Sequence, residues 1–405
     1  MNAYTDLAKP VVATDAVDAL ASSQAFADTA QLITAMRPDQ PLFCFSAPAL
    51  AARLKRFKGG FAGDVCFAVK AAPLPQIVNT LIAGGIDGFD VASPAEMALV
   101  RGLSADARLY YNNPVKSADE IAAAFRHYGV THFTVDDVAE LAKIARIVPA
   151  GPNVEIAVRF RLADHAYGTK AAYAFHTKFG ALAAEAAALL RQADRLGFAV
   201  SLSFHPGSQC TDPASFAAHV AEAADIANRA GVTLKRLNVG GGFPAAYPGS
   251  PAPALETYFS TIAEAAAAHF PQGIKLIAEP GRALAAPAMS LLTRIKHRRP
   301  SGEIFLNDGL YGGLMELLMA DIALPVRCWK ADGTPLAGEN KPAVVFGPTC
   351  DSIDRLPRQI DLACAAAEGD YVEFGLAGAY SAATVTRFNG YGALSLVAVD
   401  NILQA

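Results

Sequence analysis

The chain has 405 residues, 53% of them hydrophobic and only 18% charged, so it can bury a large core and is not a disordered polypeptide. Its formal net charge of −4 leaves no basic footprint for nucleic acid, and no apolar run reaches the roughly 18 residues that a membrane span needs. The length exceeds one ordinary domain and fits a large domain joined to a smaller one.

The N-terminal sequence MNAYTDLAKP lacks a basic segment followed by an apolar one, so no secretory signal is expected. The cysteines, at 44, 66, 210, 328, 350 and 364, form no CxxC pair and no dense framework. Reduced thiols in a cytoplasm are the simplest expectation.

Short β-rich runs then recur: VCFAVK (65–70), GFDVAS (88–93), LYYNN (109–113), HFTVDD (132–137), EIAVRFR (155–161), VSLSFH (200–205), RLNVGG (236–241) and IKLIAEPGR (274–282). Alanine- and leucine-rich segments of helical period separate them. Several of these open with start signals: Ser93-Pro94-Ala95-Glu96, Ser117 with Glu120, and more loosely Asp137 with Glu140. The alternation predicts a (β/α)8 barrel over 37–282, with an open doubly wound sheet as the alternative. Polar residues gather where the runs end, as at Lys70, Asp90, Asn113, Arg159, His205 and Glu279. Barrel enzymes build their sites at that rim. Beyond 283 short strand-like runs follow one another without long helices. This predicts a mainly β second domain over 283–405, with residues 1–36 as an arm that packs on it.

A lysine inside a barrel rim is a candidate nucleophile towards an aldehyde, because desolvation lowers its pKa. Lys70 ends such a run, and pyridoxal phosphate (PLP) would use it for Schiff-base chemistry. PLP also needs a carboxylate against its pyridine nitrogen, and Glu279 is the candidate; the plainer reading of Glu279 is a salt bridge to Arg282. Gly240-Gly241-Gly242, after the seventh run, lets backbone N–H groups approach a phosphate, and Arg282 and Ser208 could complete the cradle. The triplet is not GxGxxG, so a dinucleotide is not indicated. His205, in SFHPGSQ, could lie flat on the ring, and no histidine spacing points to a metal.

These segments resemble the ornithine/lysine/diaminopimelate decarboxylase family, the alanine-racemase-like PLP enzymes of fold type III, and ornithine decarboxylase above all. FAVKA (67–71), FDVASPAE (89–96), YNNPVK (111–116), KFGA (178–181), SFHPGSQCTDP (203–213), GGGFP (240–244), AEPGR (278–282), NDGLYG (307–312), GPTCDSID (347–354), GAYSAA (378–383) and FNGY (388–391) occur in the family's order along nearly the whole chain.

The resemblance implies that Lys70 carries PLP, Glu279 pairs with the pyridine nitrogen and His205 stacks on the ring. It implies that Ser208, Gly240, Gly241, Gly242, Gly281 and Arg282 hold the phosphate, that Tyr380 adds a hydroxyl, and that Asp90 and Arg159 support. Cys350, as the acid that protonates the α-carbon, and Asp351 would reach the partner's site in a homodimer. Tyr311 and Asp321 join Asp351 as substrate-side candidates.

The aspartate in GPTCDS suits the single distal ammonium of ornithine or lysine, where diaminopimelate enzymes carry glutamate. The acidic position after NDGxYG is held by Ala320, with Asp321 one residue on. Glu316 lies about 140° from Asp321 on an ideal helix, so the two are not expected to face one site. HPGSQ resembles bacterial branches, so diaminopimelate or carboxynorspermidine decarboxylation is the alternative. A racemase of the same superfamily is a further alternative, though Cys350 favours decarboxylation over it. A catalytically silent homologue is disfavoured because Lys70, Glu279, His205, Arg282 and Cys350 are all present.

Overall fold

The computed structural model describes residues 18–19, 25–163 and 178–404. Eight parallel strands close on themselves: β1 (Gly63–Ala68), β2 (Gly88–Val91), β3 (Leu109–Tyr111), β4 (His132–Val135), β5 (Glu155–Arg159), β6 (Ala199–Ser203), β7 (Leu237–Asn238) and β8 (Leu276–Ala278). Leu276 of β8 stands opposite Gly63 of β1, which completes the cylinder and leaves no sheet edge. The architecture is thus the expected barrel and not the open sheet. Val65 to Ala68 are all buried, as expected of parallel strands covered on both faces, whose runs are continuously apolar.

Capping fixes the helix after β2, Pro94–Leu103, whose first turn borders the barrel mouth. Ser93 Oγ accepts the Glu96 N–H, and the Glu96 carboxylate reaches back to the Ala92 N–H at 2.7 Å. Ser117 and Glu120 close a complete box on Ala118–Arg126. Asp137 caps through the Ala139 N–H at 2.7 Å, but Glu140 is drawn inward to the buried Lys116 ammonium, 3.3 Å away.

The second domain is mainly β. Among the described residues its sheet has nine strands, centred on Met289–Arg298, which pairs antiparallel with Ile304–Leu306, Tyr371–Phe374 and Leu42–Phe45. The last of these falls inside the span 37–282 expected for the barrel, so that boundary shifts. LFCF is apolar throughout and its partner is remote in sequence, so spacing alone could not assign it. In the N-terminal arm, Phe26–Asp28 pairs with Ser395–Asn401, and the helix Thr29–Met36 buries Leu32 and Ile33 against Trp329 and Tyr371. Residues 1–17 and 20–24 of the arm lie outside the described residues. The buried Glu373 carboxylate ties these pieces together, accepting from Thr29 Oγ1 (2.9 Å), Ser290 Oγ (2.7 Å) and Trp329 Nε1 (3.0 Å). No described helix is long and apolar enough to cross a membrane.

Candidate active site

The carboxyl ends of the strands surround a cavity of about 510 Å³ lined by Lys70, Asp90, Arg159, His205, Ser208, Arg282 and Tyr380, all of them expected there. Lys70 follows β1 in the short turn Val69–Ala71 and keeps 46% of its side chain open to this space. Its ammonium lies 3.5 Å from the buried Asp90 carboxylate on β2. The expected direction of its pKa is overturned: Asp90 outweighs desolvation and pushes Lys70 up to about 12. The residue therefore enters the site as a cation and is nucleophilic only after passing on a proton.

Glu279, just beyond β8, is buried and does not pair with Arg282. Its Oε1 accepts instead from Asn112 Nδ2 and, at 2.5 Å, from Asn238 Nδ2. Burial first and Asp90 second raise its pKa, against the Asn238 hydrogen bond and the Lys70 and Arg159 charges. His205 is held well below the usual histidine range by burial, then by Arg159 and Lys70. Its Nδ1 accepts the Gly207 N–H at 3.1 Å, so the neutral ring carries its proton on Nε2. A neutral, flat ring suits stacking on a cationic heterocycle.

The anion cradle is built from backbone that only glycine allows. Gly240 and Gly242 have φ of +69° and +89°. A Cβ on Gly241 would come within 2.8 Å of the Glu279 carbonyl oxygen and 3.1 Å of His205 Nε2. Arg282 reaches the same corner, donating from Nη1 to Tyr247 Oη (3.1 Å) and from Nη2 to Ser208 Oγ (3.4 Å) and to Glu316, while its buried Nε has no partner. Tyr380, in the left-handed region at φ +60°, lies under the guanidinium and ties its N–H to Ala71 next to Lys70. Amine, anion cradle, flat histidine and buried carboxylate thus fit a phosphorylated aromatic aldehyde. Gly241→Ala is expected to weaken PLP binding about tenfold or more, as overpacking of about 1–3 kcal/mol implies. Titration of cofactor-free protein checks this, and unchanged affinity would remove Gly241 from the site.

The remaining candidates stand elsewhere. Cys350 is exposed, with its N–H and Sγ both 3.2 Å from Asn389 Oδ1. Asp351 accepts the Tyr311 hydroxyl at 2.6 Å, and Tyr311 stacks on Phe388 at 4.5 Å. None of Cys350, Asp351 or Tyr311 lines the Lys70 cavity of their own chain. Asp321 also points away from it, exposed and paired with Arg358. Glu316 does line the cavity, but its carboxylate is bound to Arg282. Sequence reasoning missed Asn112 and Asn238 as partners of Glu279; Asn238 lies on β7, which pairs with β8, whereas Asn112 follows β3, which pairs with β2 and β4 and not with β8. No group of three or more metal-ligating side chains occurs among the described residues.

Known proteins resemble this chain in both sequence and fold. Residues 48–286 match the family model "Pyridoxal-dependent decarboxylase, pyridoxal binding domain". The chain is 34% identical to the lysine/ornithine decarboxylase of Selenomonas ruminantium over 336 residues, 81% of each chain. The lysine/ornithine decarboxylase of Vibrio vulnificus complexed with cadaverine superposes with a TM-score of 0.77 at 29% identity, over 89% of this chain and 95% of that one. The Paramecium bursaria Chlorella virus arginine decarboxylase bound to agmatine gives a TM-score of 0.80 at 26% identity, over 91% and 98%. The chain belongs to the fold type III family of PLP-dependent decarboxylases, and it is a PLP-dependent amino-acid decarboxylase.

Proposed function

We propose that the enzyme decarboxylates a basic L-amino acid with a terminal amine, ornithine first and lysine second, in a site completed by a second copy of the chain. The observation that carries this reading is the Asp351 carboxylate, held by the Tyr311 hydroxyl beside Cys350 on an exposed edge apart from Lys70. Leu318, Met319, Ile353 and Phe388, all 40–60% exposed, are the apolar surface that a homodimer would cover. The free thiols of all six cysteines suit a reducing cytoplasm.

In this reading Lys70 would hold the cofactor through its aldehyde carbon. Ser208, the Gly240–Gly242 turn, Gly281 and Arg282 hold its phosphate with the Tyr380 hydroxyl, while Asp90 and Arg159 balance charge. Bound PLP supplies the sink for the electron pair left on the α-carbon when CO2 departs. Glu279 would pair with the ring nitrogen, and His205 would cover a ring face. Cys350 of the partner gives its proton to the α-carbon. Asp351 meets the distal ammonium: the Ile353 N–H and then the Tyr311 hydroxyl hold its pKa below the usual carboxylate range, so it is ionised at neutral pH.

The other acidic candidates of the 312–321 segment are already paired, Glu316 with Arg282 and Asp321 with Arg358, and Ala320 is apolar. A single carboxylate leaves chain length weakly discriminated, so kcat/KM for lysine should fall about 10- to 100-fold below that for ornithine, the worth of one methylene. The CO2-release assay runs across ornithine, lysine, arginine, diaminopimelate and carboxynorspermidine. Highest kcat/KM on either of the last two would refute the reading.

A further inference from the structure

Both amides on Glu279 are locked in orientation. Asn112 Oδ1 accepts the Thr134 hydroxyl at 2.8 Å, which turns its NH2 group towards Glu279. Asn238 Oδ1 accepts the Gly240 N–H at 2.8 Å, with the same consequence. The two donors converge on one oxygen, Oε1. Among the described residues Oε2 takes no hydrogen bond, and Glu279 lines a small pocket that shares Lys70, Asp90, Asn112 and His205 with the larger cavity.

We propose that Asn112 is a positioning residue for Glu279: its amide, anchored by Thr134, holds Oε1, favours the charged form of the carboxyl and leaves Oε2 for the ring nitrogen of PLP. The inference rests on the reading of Glu279 as the ring-nitrogen partner. Its physical basis is a contest. Burial and the Asp90 charge favour the neutral acid, while Lys70 and Arg159 favour the carboxylate, and neutral His205 adds no charge. Hydrogen bonds to the charged form weigh on the carboxylate's side of such a contest, and bonds to an ion are the stronger kind. Asn112 is the cleaner of the two amides to test, because Asn238 also holds the Gly240 turn.

The experiment compares the parent enzyme with Asn112→Ala, Asn112→Asp, Thr134→Val and Glu279→Gln. It reads the PLP dissociation constant, the pH dependence of the bound cofactor's visible absorption, and kcat and KM separately. Asn112→Ala should lower kcat about 10- to 100-fold, as loss of a hydrogen bond to a charged group implies, with KM within about twofold, and should move the absorption titration. Asn112→Asp has the same size but sets a second carboxylate beside Glu279, so it should do worse than alanine. Thr134→Val, nearly isosteric, frees the amide to rotate and should shift the titration in the same direction by less, which keeps the test open if the Asn112 variants fold poorly. If Asn112→Asp matches the parent, the side chain only fills space and the proposal is overturned. It is equally overturned if Glu279→Gln moves the spectrum and neither Asn112→Ala nor Thr134→Val does. If Glu279→Gln moves nothing either, the fault lies in the ring-nitrogen assignment itself, and the proposal falls with it.

Discussion

Lys70→Ala is expected to release CO2 at least about a thousandfold more slowly than the parent enzyme, because no other group is placed to take over its covalent role. Among the residues lining the cavity the other amine is Lys178, whose ammonium lies over the Phe179 ring at 5.0 Å. Borohydride reduction of the PLP-loaded enzyme, followed by peptide mapping, should place the adduct on Lys70. The 3.5 Å contact with Asp90 adds a pH dependence to that result. Asp90 holds the amine protonated, with its pKa pushed up to about 12, so adding PLP to the cofactor-free protein should be slow at neutral pH and speed up as pH rises. An adduct on Lys178, or on no lysine, would remove the central residue of the site and with it most of the assigned roles.

The second large effect concerns shared sites. Cys350→Ala alone should lower activity about 10²- to 10⁴-fold, the worth of a positioned general acid. Mixing equal amounts of Lys70→Ala and Cys350→Ala chains, each nearly inactive, should restore about a quarter of the parent activity: half of randomly paired dimers are hybrids, and each hybrid keeps one intact site of two. Cys350 and Asp351 do not line the cavity of their own chain, so a role at the α-carbon would call for the copy in a second chain. If the subunits exchange and activity stays at the level of the single variants, Cys350 does not work across an interface.

Much of this protein is legible in one dimension. The eight barrel strands announce themselves as apolar runs because parallel strands are buried on both faces, and the rim residues follow because each run ends where its backbone meets solvent. Lys70, Glu279, His205, the glycine turn and Arg282 could be named from those ends, and the ordered motifs gave the family.

Tertiary structure alone decided what depends on neighbours remote in sequence. Leu42–Phe45 belongs to the second sheet because Met289–Arg298 pairs with it, a contact without local signature. The Lys70 pKa rises where burial alone would lower it, since a pairwise charge at 3.5 Å outweighs desolvation and Asp90 comes from the next strand. Glu279 turns to two amides and Arg282 to Glu316, because closure of the barrel brings Asn238 from the adjacent strand and Asn112 from beyond a non-adjacent one to Oε1, and the short helix Glu316–Met319 beyond the barrel brings the second acid. Periodicity reports which face of an element is buried. Which charge meets which across that face is set by the three-dimensional packing.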